Sequence, residues 1–192
     1  LGFWDNHERK LLLARDRYGI KPLYYYQNSE IFTFSSEQKS ILTLPNFRKK
    51  LDEAAIIEYF TFQNILTNKT FFDDLVILEP GNYLELNFDK KRPYLKKTQY
   101  WDFNFQSDII SISENEYVEE LSRLFSNSVK KQLISDVEVG TYLSGGIDSG
   151  SIAAVAASNI ENLKSFTCGF DLSSASGIEL TFDEREKAEA MS

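Results

Sequence analysis

The run VGTYLSGGIDSGSIAAVAA, residues 139–157, restricts what this chain can fold into more than any other stretch. An apolar segment stops at two adjacent glycines, an aspartate follows two positions later, and a segment of small residues comes next. Glycine lacks Cβ and takes positive φ readily, so the pair permits a sharp exit from a strand and an immediate entry into a helix. With KSFTCGF at 164–170 reading as a second strand, the order becomes strand, helix, strand. Parallel strands joined this way run through a right-handed crossover. We therefore expect strands over 137–143 and 164–170, a helix over SIAAVAAS, and a parallel sheet.

Ligands of such sheets bind beyond the carboxyl ends of the strands, where SGGIDS falls. Gly145 and Gly146 let main chain approach a ligand closely, and the first N–H groups of the following helix point outward with partial positive charge. Those are the requirements of an anion site. Ser144 and Ser149 add hydroxyl donors. Asp148 is the odd member, because a bare carboxylate repels phosphate. A divalent cation removes the conflict: Mg²⁺ takes one or two carboxylates together with phosphate oxygens, which assigns Asp148 to a metal-bridged pyrophosphate. The Gly-Lys-Ser/Thr ending of the common phosphate loop is missing. The competing reading of SGGIDS is a tight turn with a serine cap.

The rest of the chain supplies context. Residues 1–35 read as a meander, with strands LGFWD, KLLLARD, PLYYYQ and EIFTFS. Ser35 or Ser36 is placed to cap a short helix over SEQKSIL, and Asp52 to cap DEAAIIEYF, in which Ala55, Ile56, Tyr59 and Phe60 form an apolar stripe. Pro80 and Gly81 turn into NYLELNF, a further strand. DFNFQSDIISISENE is a polar connector, so the domains are expected to divide near residue 105, into 1–105 and 106–192. Ser113 and Glu116 have capping-box spacing ahead of a helix whose apolar face runs through Tyr117, Leu121, Leu124, Phe125 and Val129.

Bulk properties exclude several classes. A net charge of −8, with only the brief clusters RKK at 48–50 and KKR at 90–92, argues against a nucleic-acid partner. The clusters read as solvated turns. One Cys168 and one His7 provide neither an internal disulfide nor a structural zinc site, which fits a reducing, cytoplasmic setting. No apolar run approaches the length of a membrane span, and LGFWDNHERK is no signal peptide. Because the chain starts at Leu1 inside an expected strand, it reads as an internal piece of a longer polypeptide.

The strand, SGGIDS loop and helix together resemble the PP-loop ATP pyrophosphatases, whose signature is SGGxDS after a strand. LLLARDRYGIKPLYY, FTFSSEQKSIL, EPGNYLELN, YWDF and SDVEVGTYLSGGIDS then follow one another as in glutamine-hydrolysing asparagine synthetases, over nearly the whole chain. The resemblance implies a fold of mixed class, α/β and α+β: the C-terminal part of an αββα glutaminase domain of the N-terminal-nucleophile-hydrolase kind, then the start of a doubly wound parallel-sheet domain of the adenine nucleotide α-hydrolase kind. It implies ATP and Mg²⁺, with aspartate and glutamine as further small-molecule partners and a homodimer among the expected assemblies. It also places Leu143 and Cys168 against adenine or ribose through backbone groups, alongside Ser144, Gly145, Gly146, Asp148 and Ser149. The Cys168 side chain is equally read as an inert buried thiol.

Departures accompany the likeness. The glutaminase nucleophile of that family is a cysteine at the mature N-terminus, whose α-amino group serves as base. Here the only cysteine is at 168, so no residue is assigned to glutamine hydrolysis. Arg15, Asp16 and Arg17 read as a charge-paired strand end rather than as catalytic groups. The 192 residues by themselves are expected to lack synthetase activity and to be poorly stable. Competing identities are a β-lactam-type synthetase or another amidotransferase acting on a different carboxylate, and a nucleotide-binding module without turnover.

Overall fold

The computed structural model describes residues 1–88, 94–105, 113–169 and 183–192. The KKR cluster, part of the connector before Ser113, and residues 170–182 of the tail lie outside the described residues. The chain divides into two compact units, Leu1–Ser107 and Asp108–Ser192.

The first unit holds two antiparallel sheets. β1 (Gly2–Asp5), β2 (Lys10–Ala14), β6 (Asn82–Asn87) and β7 (Tyr94–Gln99) form one, in the order β1-β2-β6-β7. β3 (Tyr24–Gln27), β4 (Phe32–Ser35) and β5 (Leu75–Ile77) form the other, in the order β4-β3-β5. The expected meander is thus corrected. β1 and β2 pair, as do β3 and β4, but β2 then takes β6 as its neighbour, with Leu11 opposite Leu86 and Leu13 opposite Leu84. The reason is burial: Leu13, Leu84 and Leu86 join Leu23 and Leu78 in one apolar cluster, against which Tyr25 and Phe32 of the second sheet pack. β6 alternates buried Asn82, Leu84 and Leu86 with half-buried partners, the signature of a strand with one face on the core.

α1 (Gln38–Leu42) covers the second sheet through Ile41, which meets Tyr26, Phe47 and Leu75. Its N-cap is Glu37, without a side-chain cap; Ser35, two residues before it, accepts from the Glu37 N–H through Oγ at 3.2 Å. α2 (Glu53–Phe62) starts at the expected cap, where Asp52 Oδ1 accepts from Ala55 N–H at 3.0 Å. Of its expected stripe only Ala55 is buried, while Phe60 is 80% exposed, because EAAIIEYFTF is apolar round most of its circumference and offers no single face.

Arg15 and Asp16 are not a charge pair. The guanidinium donates to the carbonyls of Leu78 (2.6 Å), Gly19 (2.7 Å) and Lys21 (3.3 Å). The Asp16 carboxylate accepts main-chain N–H groups of Lys21 (2.9 Å), Ile20 (3.0 Å) and Tyr18 (3.2 Å). Both side chains therefore hold the turn between β2 and β3. The Lys21 N–H, ahead of the other two donors, keeps the Asp16 carboxyl below its ordinary value.

In the second unit α3 (Glu114–Gln132) opens on a complete capping box: Ser113 Oγ accepts from Glu116 N–H, and the Glu116 carboxylate accepts from Ser113 N–H. Val129 is the buried member of its apolar face. β8 (Gly140–Tyr142) and β9 (Lys164–Phe166) pair in parallel, and α4 (Ile147–Ala157) lies between them in sequence. β8 is shorter than the expected 137–143, since its ladder extends only as far as the three residues of β9 and Val137 is 77% exposed. α5 (Arg185–Glu189) closes the described chain. Among the described residues, no helix is long and apolar enough to cross a membrane.

Candidate functional site

The residues between β8 and α4 form a loop at the carboxyl end of β8. Gly145 has φ +73°, a conformation that L side chains rarely adopt, and Gly146 is the N-cap of α4 in extended conformation. A Cβ built on Gly145 lies 2.4 Å from Lys187 Cβ, 3.1 Å from the Lys187 carbonyl carbon and 3.2 Å from Ala188 N. A glycine is thus required there twice over, once by φ and once by α5. Gly146 is different: its nearest neighbour is Ser144 Oγ at 3.4 Å, and the space is otherwise open.

Two serines close the loop internally. Ser149 Oγ donates to the Gly146 carbonyl (3.1 Å), accepts from Ser144 N–H (3.1 Å) and stands 3.0 Å from Ser144 Oγ, which accepts weakly from Gly146 N–H at 3.4 Å. This network is self-consistent when the Ser144 hydroxyl donates to Ser149. Both hydroxyls, expected as ligand donors, serve here as a staple. The first helix-closing bond of α4 runs from Gly150 N–H to the Gly146 carbonyl at 3.0 Å. No described residue accepts from the N–H groups of Gly145, Ile147, Asp148 or Ser149. These amides sit at the positive end of an 11-residue helix, at an exposed surface, where they can take an anion.

Family models place both units. The model of a glutamine amidotransferase domain matches residues 1–101, and that of asparagine synthase matches residues 120–192, the loop included. The chain belongs to the glutamine-hydrolysing asparagine synthetase family. It is 35% identical over 159 residues to glutamine-hydrolyzing asparagine synthetase 3 of Bacillus subtilis, covering 82% of this chain and 25% of that protein. It is 33% identical over 177 residues to asparagine synthetase 1 of the same organism, covering 92% and 27%. It is also similar to amidase chry2 of Gibberella zeae, with 33% identity over 161 residues, 79% of this chain and 22% of that protein. The chain spans about a quarter of the length of the asparagine synthetases it matches.

Within this family member, the other assigned positions divide. The Leu143 N–H donates to the Phe166 carbonyl (2.9 Å), and its own carbonyl accepts from Thr167 Oγ1 (2.8 Å). Its N–H is therefore spent on joining the two strands, and what remains for a ligand is a carbonyl lone pair. Cys168 is exposed, which corrects the reading of its side chain as a buried thiol. It lies two residues past the end of β9, beside Gly169, whose built Cβ would meet Arg185 Cδ at 2.6 Å.

Asp148 lies in the first turn of α4 and is exposed. Among the described residues no group of three or more His, Cys, Asp or Glu side chains gathers to hold a metal. A single carboxylate does not make a protein cage, but it fits an ion that takes its remaining ligands from phosphate and water. Cavities of this unit flank α4, and two of them reach candidate residues: one is lined by Asp148 with Ser151 and Ile152, another by Leu143 with Gly150. A third, of about 380 Å³, lies between α3, α4 and β8, lined by Phe125, Val129, Ile152 and Ala156. The packing of α5 on Gly145 and the Thr167 bond to Leu143 were not legible in the sequence: α5 is a five-residue helix some 40 positions downstream (185 − 145 = 40), and nothing in REKAE marks it as a neighbour of the loop.

Proposed function

We propose that this chain contributes the ATP-binding loop, and part of the glutamine amidotransferase domain, to an ATP-dependent asparagine synthetase that draws ammonia from glutamine. The observation that carries this is the set of free amides at Gly145, Ile147, Asp148 and Ser149 on the carboxyl rim of a parallel sheet, in a chain of this family. In this reading the first unit belongs to an αββα glutaminase of the N-terminal-nucleophile kind, and the second begins a doubly wound PP-loop domain, with the division near residue 105.

The carboxylate of aspartate is a poor electrophile, and adenylation makes it a good one. Its β-carboxylate oxygen attacks the α-phosphorus of ATP, the bond to the β-phosphate oxygen breaks, and pyrophosphate leaves. Ammonia then attacks the acyl carbon, AMP departs, and the amide forms after loss of a proton. The loop amides hold the β- and γ-phosphates, so charge that collects on the leaving pyrophosphate meets donors already in place. Ser144 and Ser149 keep those amides presented by tying the loop to itself. Gly146, lacking Cβ, admits the phosphates to the main chain. Asp148 would hold Mg²⁺, which neutralises phosphate charge when bound. Leu143 and Cys168 offer main-chain groups to the nucleoside.

A second reading is an amidotransferase of the same chemistry acting on another carboxylate; the relatives of this chain include one that is not named an asparagine synthetase, amidase chry2. The test is pyrophosphate release by the full-length protein with ATP, Mg²⁺, glutamine and aspartate. Aspartate-dependent release with equimolar AMP and asparagine is expected. Release that needs a different acid moves the assignment to the second reading, and ATP binding without AMP under any acid leaves a nucleotide-binding module.

A further inference from the structure

The SGGIDS loop carries no lysine, whereas the common phosphate-binding loop ends in one that reaches the β- and γ-phosphates as a point charge. The structure supplies a lysine from elsewhere in the fold. α5 lies against the loop so closely that Lys187 Cβ stands 2.4 Å from the point where a side chain on Gly145 would start. The Lys187 side chain is exposed and, among the described residues, has neither an ion pair nor a hydrogen-bond partner. Its neighbour on the same helix, Arg185, is already committed: the guanidinium is forked onto the Asp183 carboxylate, with bonds of 2.9 and 2.6 Å. The other charges on or beside α5 are Glu184, Glu186 and Glu189, and the loop itself contributes Asp148. Among the described residues of the loop and α5, Lys187 is the one cation without an ion-pair partner.

We infer that Lys187 is a phosphate-binding residue, reaching over Gly145 to the pyrophosphate part of ATP and taking the place of the lysine the loop lacks. This rests on the nucleotide reading of the loop. The close fit at Gly145 fixes the base of the side chain by packing, and the flexible stem leaves the ammonium free to follow the phosphates. The same fit makes α5 a strap, so phosphate binding through Lys187 also ties α5 to the occupied state.

The experiment is calorimetric titration of the full-length protein with MgATP, magnesium pyrophosphate and AMP, for wild type, Lys187→Met, Lys187→Arg and Asp148→Asn. Methionine keeps the stem that packs on Gly145 and removes only the charge. Lys187→Met is expected to weaken ATP and pyrophosphate by about five- to twentyfold at low ionic strength, with the loss shrinking as salt is added. AMP affinity and the unfolding midpoint are expected to stay at wild-type values, and Lys187→Arg to retain most ATP affinity. Wild-type ATP and pyrophosphate binding by Lys187→Met, while Asp148→Asn binds ATP more weakly, overturns the role of Lys187 and leaves the loop assignment standing. An equal loss for AMP and ATP, or a lowered unfolding midpoint, makes Lys187 structural and also overturns it. Undiminished ATP binding in Asp148→Asn as well as in Lys187→Met rejects the nucleotide reading itself.

Discussion

The two glycines of the loop make opposite demands, and substituting each by alanine separates folding from ligand binding. At Gly145 alanine must hold φ near +73°, which costs about 1–2 kcal/mol for an L residue. Its Cβ would also stand 2.4 Å from Lys187 Cβ and 3.1 Å from a main-chain carbon, and neither atom is the far end of a flexible side chain. Relief requires α5 to move, uncovering Ala188, which is 3% exposed. Strain and lost packing together give a destabilisation of about 2–4 kcal/mol for Gly145→Ala. At Gly146 φ is −82°, ordinary for alanine, and the nearest atom is 3.4 Å away. Gly146→Ala costs only the difference between glycine and alanine at an N-cap, about 0.5–1 kcal/mol, yet it places a methyl group where phosphate approaches the main chain. Urea unfolding followed by titration with MgATP reads both effects. Gly145→Ala should lower the unfolding midpoint and ATP affinity together, while Gly146→Ala should nearly keep the midpoint and still lose ATP affinity by tenfold or more, about 1.4 kcal/mol. Wild-type stability in Gly145→Ala refutes the strap of α5 on the loop; wild-type ATP affinity in Gly146→Ala refutes close approach of phosphate at that residue.

Three further outcomes follow from the same geometry. Ser149→Ala removes the oxygen that binds Ser144 N–H, Ser144 Oγ and the Gly146 carbonyl, and should raise hydrogen-exchange rates at residues 144–146 without unfolding the unit. Asp52→Ala should cost about 1 kcal/mol through loss of the α2 cap, measured as a lower urea midpoint of the first unit. Asp16 gives the pH dependence: its folded pKa lies below the ordinary 3.8, so its contribution is complete above that value and is lost as pH falls through the folded one. Asp16→Asn should therefore destabilise near neutral pH and flatten the acid limb of the stability curve below about pH 4, read by urea midpoints from pH 7 down to pH 3.

What could be read in the sequence was local. Asp52 and the pair Ser113 with Glu116 declare helix starts because a cap needs only its own side chain and a partner three residues on. The glycine pair between β8 and α4 declares a loop for the same reason. Long-range relations were not legible. β2 pairs with β6 across some 70 residues (82 − 14 = 68 at the nearer ends) because leucines on both meet in one core, and period alone assigns KLLLA no neighbour. α2 is apolar on most sides, so a stripe drawn on it had no unique direction. Arg15 and Asp16, adjacent and opposite in charge, look like a pair, yet each finds better geometry on main-chain groups of the turn they enclose. At the loop, the turn at the glycine pair was legible, but the contribution of α5 depends on a contact between residues 145 and 187 that no spacing rule encodes.

The most direct test of the account is the position of bound ATP. A structure of the full-length protein with MgATP should place β- or γ-phosphate oxygens within about 2.7–3.2 Å of the N–H groups of Gly145, Ile147, Asp148 or Ser149, with the metal on Asp148. A nucleotide whose phosphates lie elsewhere, with those four amides still facing solvent, contradicts it.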